Sequence, residues 1–214
     1  MKKIDKIFCK PQFSKDEYIS KHGEGYSSLY LLRRDVCWCR GLDLKTNKRI
    51  VEGADAPFAA FILLRVLLNY SIALSDSDMQ NYVKKYFPHM LSKDELTILN
   101  RLRNALEHQS YNLMWTPNIE KDEKGKITLF AMTEETISPL VEKIDETKDG
   151  ETWIVNIDKL HKEIEQSINN FYNSLKASDE SERVIEFSDN HQMHVVTREE
   201  FIEYSQNRKK IGEL

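Results

Sequence analysis

From Pro57 to Leu74 the chain carries Phe58, Phe61, Ile62, Leu64, Val66, Leu67, Leu68, Ile72 and Leu74, apolar residues on nearly every side of a helical wheel. A helix apolar all round has no face to offer water, so this segment is expected at the centre of the fold. Asp55 is placed to cap it, and Pro57 falls in its first turn, where the missing N–H has no intrahelical partner to lose. The longest uninterrupted apolar run, Ala56 to Leu64, is far shorter than a bilayer span and is followed by Arg65, which points to a core helix. Seven glycines and five prolines in 214 residues leave few tight turns, so long helices are expected around it rather than a β-rich fold.

Other segments take their form from caps and periodicity. Residues 1–25 read as a polar, poorly patterned arm, and residues 26–39 fit helix or strand equally, with Gly41 ending the element. Asp76 or Ser77 is expected to cap a short helix stopped by Pro88. Ser92 with Glu95 forms a capping box that opens a helix running to about Gln109. Tyr111–Trp115 and Lys126–Met132 read as two strands, Thr136–Ile144 as a short helix, and Trp153–Ile157 as a strand. Asp158 is expected to cap a last long helix, with Leu160, Ile164, Ile168, Phe171 and Leu175 at helical spacing. The tail offers a hairpin (Val184–Phe187, Met193–Val196) and a capped helix from Thr197.

A net charge of -4 excludes a generally polycationic nucleic-acid binder but not a local basic site. Cys9, Cys37 and Cys39 are too few for a disulfide framework. The start, Met1-Lys2-Lys3-Ile4-Asp5-Lys6, has basic residues without an apolar stretch behind them, so no secretory signal is expected. A soluble cytoplasmic protein with no membrane partner follows as the expectation.

One segment carries chemistry: Leu102-Arg103-Asn104-Ala105-Leu106-Glu107-His108, in the last turns of the capped helix. At 100° per residue, Ile98, Leu99, Leu102, Ala105 and Leu106 fall on one arc and face the core. Asn104 and His108 are one turn apart and can act as neighbours. Arg103 and His108 lie about 140° apart around the helix, so one copy does not easily converge both on a single bond. A second copy related by a two-fold axis would build one composite cleft. Ten arginines and six histidines in 214 residues give about 0.3 chance matches at a fixed spacing, so the spacing alone is weak. The whole phrase, Arg-Asn then Ala-Leu then His near the end of a capped helix, is sharper.

With that phrase the chain resembles the HEPN superfamily, whose mark is Arg-x4-6-His, often Arg-Asn-x3-His. The order of elements is similar too: an apolar helix, the motif helix, a hairpin, then a strand leading into a long helix. The resemblance covers residues 51–178 and implies a mainly α, HEPN-like up-down helical bundle with a small β-hairpin insertion. Residues 1–50 are then an N-terminal extension, and 179–214 a short α+β C-terminal appendage. It further implies a metal-independent endoribonuclease with no cofactor, acting as a homodimer on RNA in a toxin–antitoxin or defence setting, with an antitoxin as protein partner. Arg103 and His108 become the catalytic pair and Asn104 their polar support. Some family toxins carry a tyrosine two residues after the histidine that a partner modifies; here Tyr111 stands three residues after, a departure from that pattern. Other members bind RNA or nucleotides without cleaving, and a motif helix can also serve dimerisation alone. A purely structural alternative pairs Arg103 with Glu107 at i+4 and leaves His108 to the helix C-terminus.

Weaker candidates remain. Arg33 and Arg34, with Arg40, Lys45, Lys48 and Arg49 and the interleaved Tyr30 and Trp38, form a basic cluster that can contact RNA, as can Tyr111; a solvated face is the competing reading. Cys37-Trp38-Cys39 lacks the third and fourth ligands of a zinc site unless Cys9 and His22 join it. His191 and His194 point to opposite faces of a strand, so no metal site is expected.

Overall fold

The computed structural model describes residues 3–9, 27–43, 46, 48–50, 56–89, 91–109, 118–121, 127–134, 139–148, 150–176 and 181–190; the side chains of residues 3, 107–109, 118–121, 127 and 190 lie outside that description. Seven helices and one small sheet make up these residues. Helix α1 spans Lys3–Ile7, α2 Ser28–Cys39, α3 Pro57–Leu74, α4 Met79–Tyr86, α5 Lys93–Gln109, α6 Ile157–Lys176 and α7 Ser181–Asn190.

Local chemistry sets most helix ends. The ambiguous segment after residue 26 is helical: the Ser27 hydroxyl accepts from the Tyr30 N–H at 3.0 Å, and Leu29, Leu32 and Val36 are buried at helical spacing. Gly41, at φ 58°, turns the chain away after α2. Helix α3 begins at Pro57 as its sequence dictates, but Ala56 precedes it without a side-chain cap, and Asp55 is outside the described residues. The cap of α4 is Asp78, whose Oδ1 accepts from the Asn81 N–H at 2.9 Å, not Asp76 or Ser77. Asp76 instead closes the preceding turn at φ 53°, a left-handed conformation that Asp tolerates better than most residues. The capping box of α5 is present in both halves. Glu95 N–H donates to Ser92 Oγ at 3.1 Å and Ser92 N–H to Glu95 Oε2 at 2.8 Å.

Strands β1 (Asn118–Lys121), β2 (Ile127–Thr133), β3 (Val141–Thr147) and β4 (Gly150–Asn156) form one sheet in the order β1-β2-β4-β3. β1 and β2 pair antiparallel, as do β3 and β4, while β2 and β4 run parallel, with Phe130 opposite Trp153 and Met132 opposite Val155. The expected hairpin ahead of β4 is therefore real, although its first strand is Asn118–Lys121; residues 111–115 are outside the description. The helix expected over 136–144 is corrected where residues are described, because Val141–Thr147 is an edge strand held by pairing with β4; residues 136–138 are outside the description. Its charged, largely exposed side chains suit an edge open to water. β4 runs straight into α6, whose first turn is capped by Asn156: its Oδ1 accepts from the Lys159 N–H at 2.9 Å. Asp158, expected as the cap, sits inside that turn. The hairpin strand expected at 184–187 is part of α7, because Val184 and Ser188 are both buried one turn apart; residues 193–196 and the helix expected from Thr197 are outside the described residues.

Helix α3 is long and apolar enough, by length and composition, to cross a membrane. It packs against α2, α4, α5, α6 and α7, and buries Arg65 and Ser71 as well as Phe61, Leu64, Leu67 and Leu68, as a central core helix does. The core draws on residues either side of positions 50 and 178: Ile4, Ile7, Phe8, Leu29 and Val36 on one side, Val184 on the other. The arm expected over 1–25 thus contains a core helix, with Phe8 stacked on Tyr172 at 5.1 Å and α1 packed on α7.

Candidate functional site

Helix α5 lays Ile98, Leu99, Leu102, Ala105 and Leu106 against the core, all 5% exposed or less, on the arc its spacing predicts. That fixes the helix in rotation and so fixes where its polar residues stand. Two arginines pin its flanks. Arg101 Nη1 donates to Glu151 Oε1 at 2.7 Å and its Nη2 donates to Thr128 Oγ1, tying the helix to β2 and β4. Arg65 of α3 donates through Nη2 to Asn100 Oδ1 at 2.6 Å. Asn100, Arg103 and Asn104 stand at i, i+3 and i+4 and share a face, so this inter-helix bond anchors the turn just before the motif.

Arg103 and Asn104 are both half-buried, and the structure brings them together: Arg103 donates to Asn104 Oδ1 through Nη2 at 2.6 Å and Nε at 3.2 Å. The amide oxygen of Asn104 thus accepts two N–H groups of the Arg103 guanidinium. His108 belongs to the last turn of α5 by its backbone, and its side chain, with that of Glu107, lies outside the described residues. Tyr111 is also outside them.

The basic cluster of α2 divides. Arg33, expected at an RNA-contacting surface, is 1% exposed and this is a correction. Its Nε and Nη2 donate to Glu165 of α6 at 2.8 and 2.5 Å, and its Nη1 donates to the Phe8 and Cys9 carbonyls. Arg34 stays near the surface, paired with Asp35 at 2.8 Å and lying over the exposed Trp38 ring at 4.5 Å. Arg40 is buried too. Its Nη1 lies 2.9 Å from His161 Nδ1, and its Nη2 donates to Glu134 at 3.0 Å and Asp158 at 3.1 Å; Arg49 closes the group on Glu134. With Arg40 donating, Nδ1 of His161 must accept, so the ring is neutral. Burial, reinforced by Arg40, pulls its pKa down to about 4, against the opposing pull of Glu165. This network joins α2 to α6, with Arg33, Arg40 and His161 buried and Glu134, Asp158 and Arg49 at its rim. Sequence reading missed it, although Asp158, His161 and Glu165 form an i, i+3, i+7 polar stripe beside the apolar one.

Among the described residues the cysteines make no candidate centre; His22, His191 and His194 lie outside them. Cys37 is buried and its thiol is pushed up to about 11, mainly by burial, while Cys39 is half-buried. No group of three or more metal-ligating side chains occurs among the described residues. Comparison of the chain with protein-family models, curated proteins and solved structures finds no match. The reading of the site therefore rests on its residues.

Proposed function

We propose that the chain is a metal-independent endoribonuclease of the HEPN type that works as a homodimer, with Arg103, Asn104 and His108 as its site. The observation that carries this reading is the Arg103–Asn104 contact on a doubly anchored, capped helix. A guanidinium positioned by a neighbouring amide is suited to a phosphate, because its charge and its planar fork of donors match an oxyanion. His108, one turn beyond Asn104, supplies a group that exchanges protons near neutral pH.

In this mechanism His108 takes the proton from a ribose 2′-hydroxyl, and the 2′-oxygen attacks the adjacent phosphorus. Arg103 stabilises the charge that builds on the non-bridging oxygens. The P–O5′ bond breaks, the 5′-oxygen leaves with a proton returned from the histidine that took one, directly or through water, and a 2′,3′-cyclic phosphate remains. The attacking group belongs to the substrate, so no metal is required to make a nucleophile. Pairing two motif helices about a two-fold axis brings an arginine and a histidine to one scissile bond. A toxin or defence role, with a protein antitoxin as partner, belongs to the same proposal.

The test is cleavage of end-labelled RNA in EDTA by the wild-type protein and by Arg103→Ala, with each variant's fold and dimer checked by circular dichroism and gel filtration. Loss of at least about 100-fold in rate with an intact dimer is expected. RNA binding without cleavage would make the protein a binding module, and association without either would reduce the motif helix to a dimer contact.

A further inference from the structure

At the opposite end of α5 from Arg103, about 12 Å along the axis, a cleft of about 230 Å³ opens between the start of α5, the loop before β3 and the first turns of α6. Leu91, Pro139 and Leu140 form apolar walls; Glu95, His89 and Lys159 stand around them, and Glu163 also lines the cleft. Glu163 is a carboxylate 6% exposed in a half-apolar setting. His89, itself largely exposed, donates from Nδ1 to Glu163 Oε1 at 2.7 Å. The other oxygen, Oε2, is buried and has no hydrogen-bond partner among the described residues. A buried carboxylate oxygen left without a donor is costly, and natural proteins seldom keep one without reason. Glu95, whose Oε2 is taken by the α5 cap, adds a second negative charge on the same cleft.

We propose that this cleft is a binding site for an organic cation, an ammonium, amidinium or guanidinium on a small apolar body, with Glu163 as its anchor. Three features select that chemistry. Oε2, unpartnered on a side chain that lines the cleft, accepts an N–H and cannot donate; a cationic donor offsets the desolvation of a buried carboxylate far better than a neutral one. The walls fit a short aliphatic or aromatic stem, and the volume admits a single ring: apolar cavities of about 150 Å³ already take benzene. Two carboxylates outweigh the one lysine, whose exposed amine can turn to water. The cation can come from a free small molecule or from a lysine or arginine side chain of a protein; both present the same group to Glu163. None of this depends on the ribonuclease reading.

The experiment is calorimetric titration of the full chain with benzamidine and with benzamide, which has nearly the same shape and no charge. Benzamidine is expected to bind at least about tenfold more tightly, the factor of one charge-assisted hydrogen bond. Glu163→Gln should abolish that preference. Leu140→Trp should fill the cleft and remove binding without touching a charge. Lys159→Ala should tighten benzamidine a few-fold, because it removes a like charge. If Lys159→Ala weakens benzamidine binding while the variant stays folded, the lysine does not act as a like charge on a bound cation and the proposal is wrong; equal binding of the two probes, or none, overturns it as well. Thermal melts of each variant separate lost binding from lost fold. Agmatine against a blocked Gly-Arg-Gly peptide then distinguishes the sources, the tighter binder naming the one the cleft serves.

Discussion

Replacing His161 by glutamine should flatten the acid sensitivity of this protein. His161 is 4% exposed and its Nδ1 accepts from Arg40 at 2.9 Å. Burial denies a protonated ring its water, and such a ring would also turn an N–H toward that guanidinium. Its pKa accordingly falls from 6.5 to about 4 in the folded state. Between those values the unfolded chain holds a proton that the folded chain does not, so stability is full above about pH 6.5 and is lost as pH falls towards 4. Two and a half pK steps correspond to about 3 kcal/mol in all, of which about 2 kcal/mol is lost between pH 7.5 and pH 5. Glutamine keeps an acceptor for Arg40 and does not titrate. Urea unfolding of both proteins at the two pH values gives the answer. The wild type should lose about 2 kcal/mol more than His161→Gln over that interval. Parallel losses would refute the argument and mean that the ring is protonated, or solvated, in the folded protein.

Other consequences are as direct. Arg33→Ala removes one partner of a buried ion pair and should cost about 3–5 kcal/mol in denaturant unfolding, whereas a surface arginine would cost almost nothing. Ser92→Ala breaks one half of the α5 capping box and should lower stability by about 1 kcal/mol, seen as a shifted urea midpoint with an unchanged slope. Asn104→Ala removes the amide oxygen that positions the Arg103 guanidinium and should slow RNA cleavage about tenfold while leaving the fold intact; a rate equal to wild type would remove Asn104 from the site.

What sequence revealed and what it hid divide along contact distance. Pro57, the Ser92–Glu95 box and the 3.6-residue stripes of α5 and α6 are local signals, and those helices stand where they point. The stripe on α5 also fixed in advance which side Arg103 would take. Strand β3 was hidden because Val141-Glu-Lys-Ile-Asp-Glu-Thr147 has no strong local preference; its partner β4 decides it. The segment Val184-Ile-Glu-Phe187 is rich in β-branched and aromatic residues and reads as a strand in isolation, yet packing of Val184 and Ser188 makes it α7. Arg33 looked like surface for a similar reason. Its partner, Glu165, lies 132 residues away, and no spacing rule connects them. The His89–Glu163 pair, 74 residues apart, escaped notice on the same ground. Burial of charge is a property of the assembled fold, whereas caps and stripes are written in a few consecutive residues.

The central claim is that His108 cleaves RNA with help from Arg103 and without a metal. Its most direct test follows the rate and end-group chemistry of RNA cleavage in EDTA, wild type beside His108→Ala. The account predicts 2′,3′-cyclic phosphate ends from the wild type and at least about a 100-fold slower reaction from the variant. Cleavage at the same rate by the variant, or cleavage that appears only when a divalent cation is added, would contradict it.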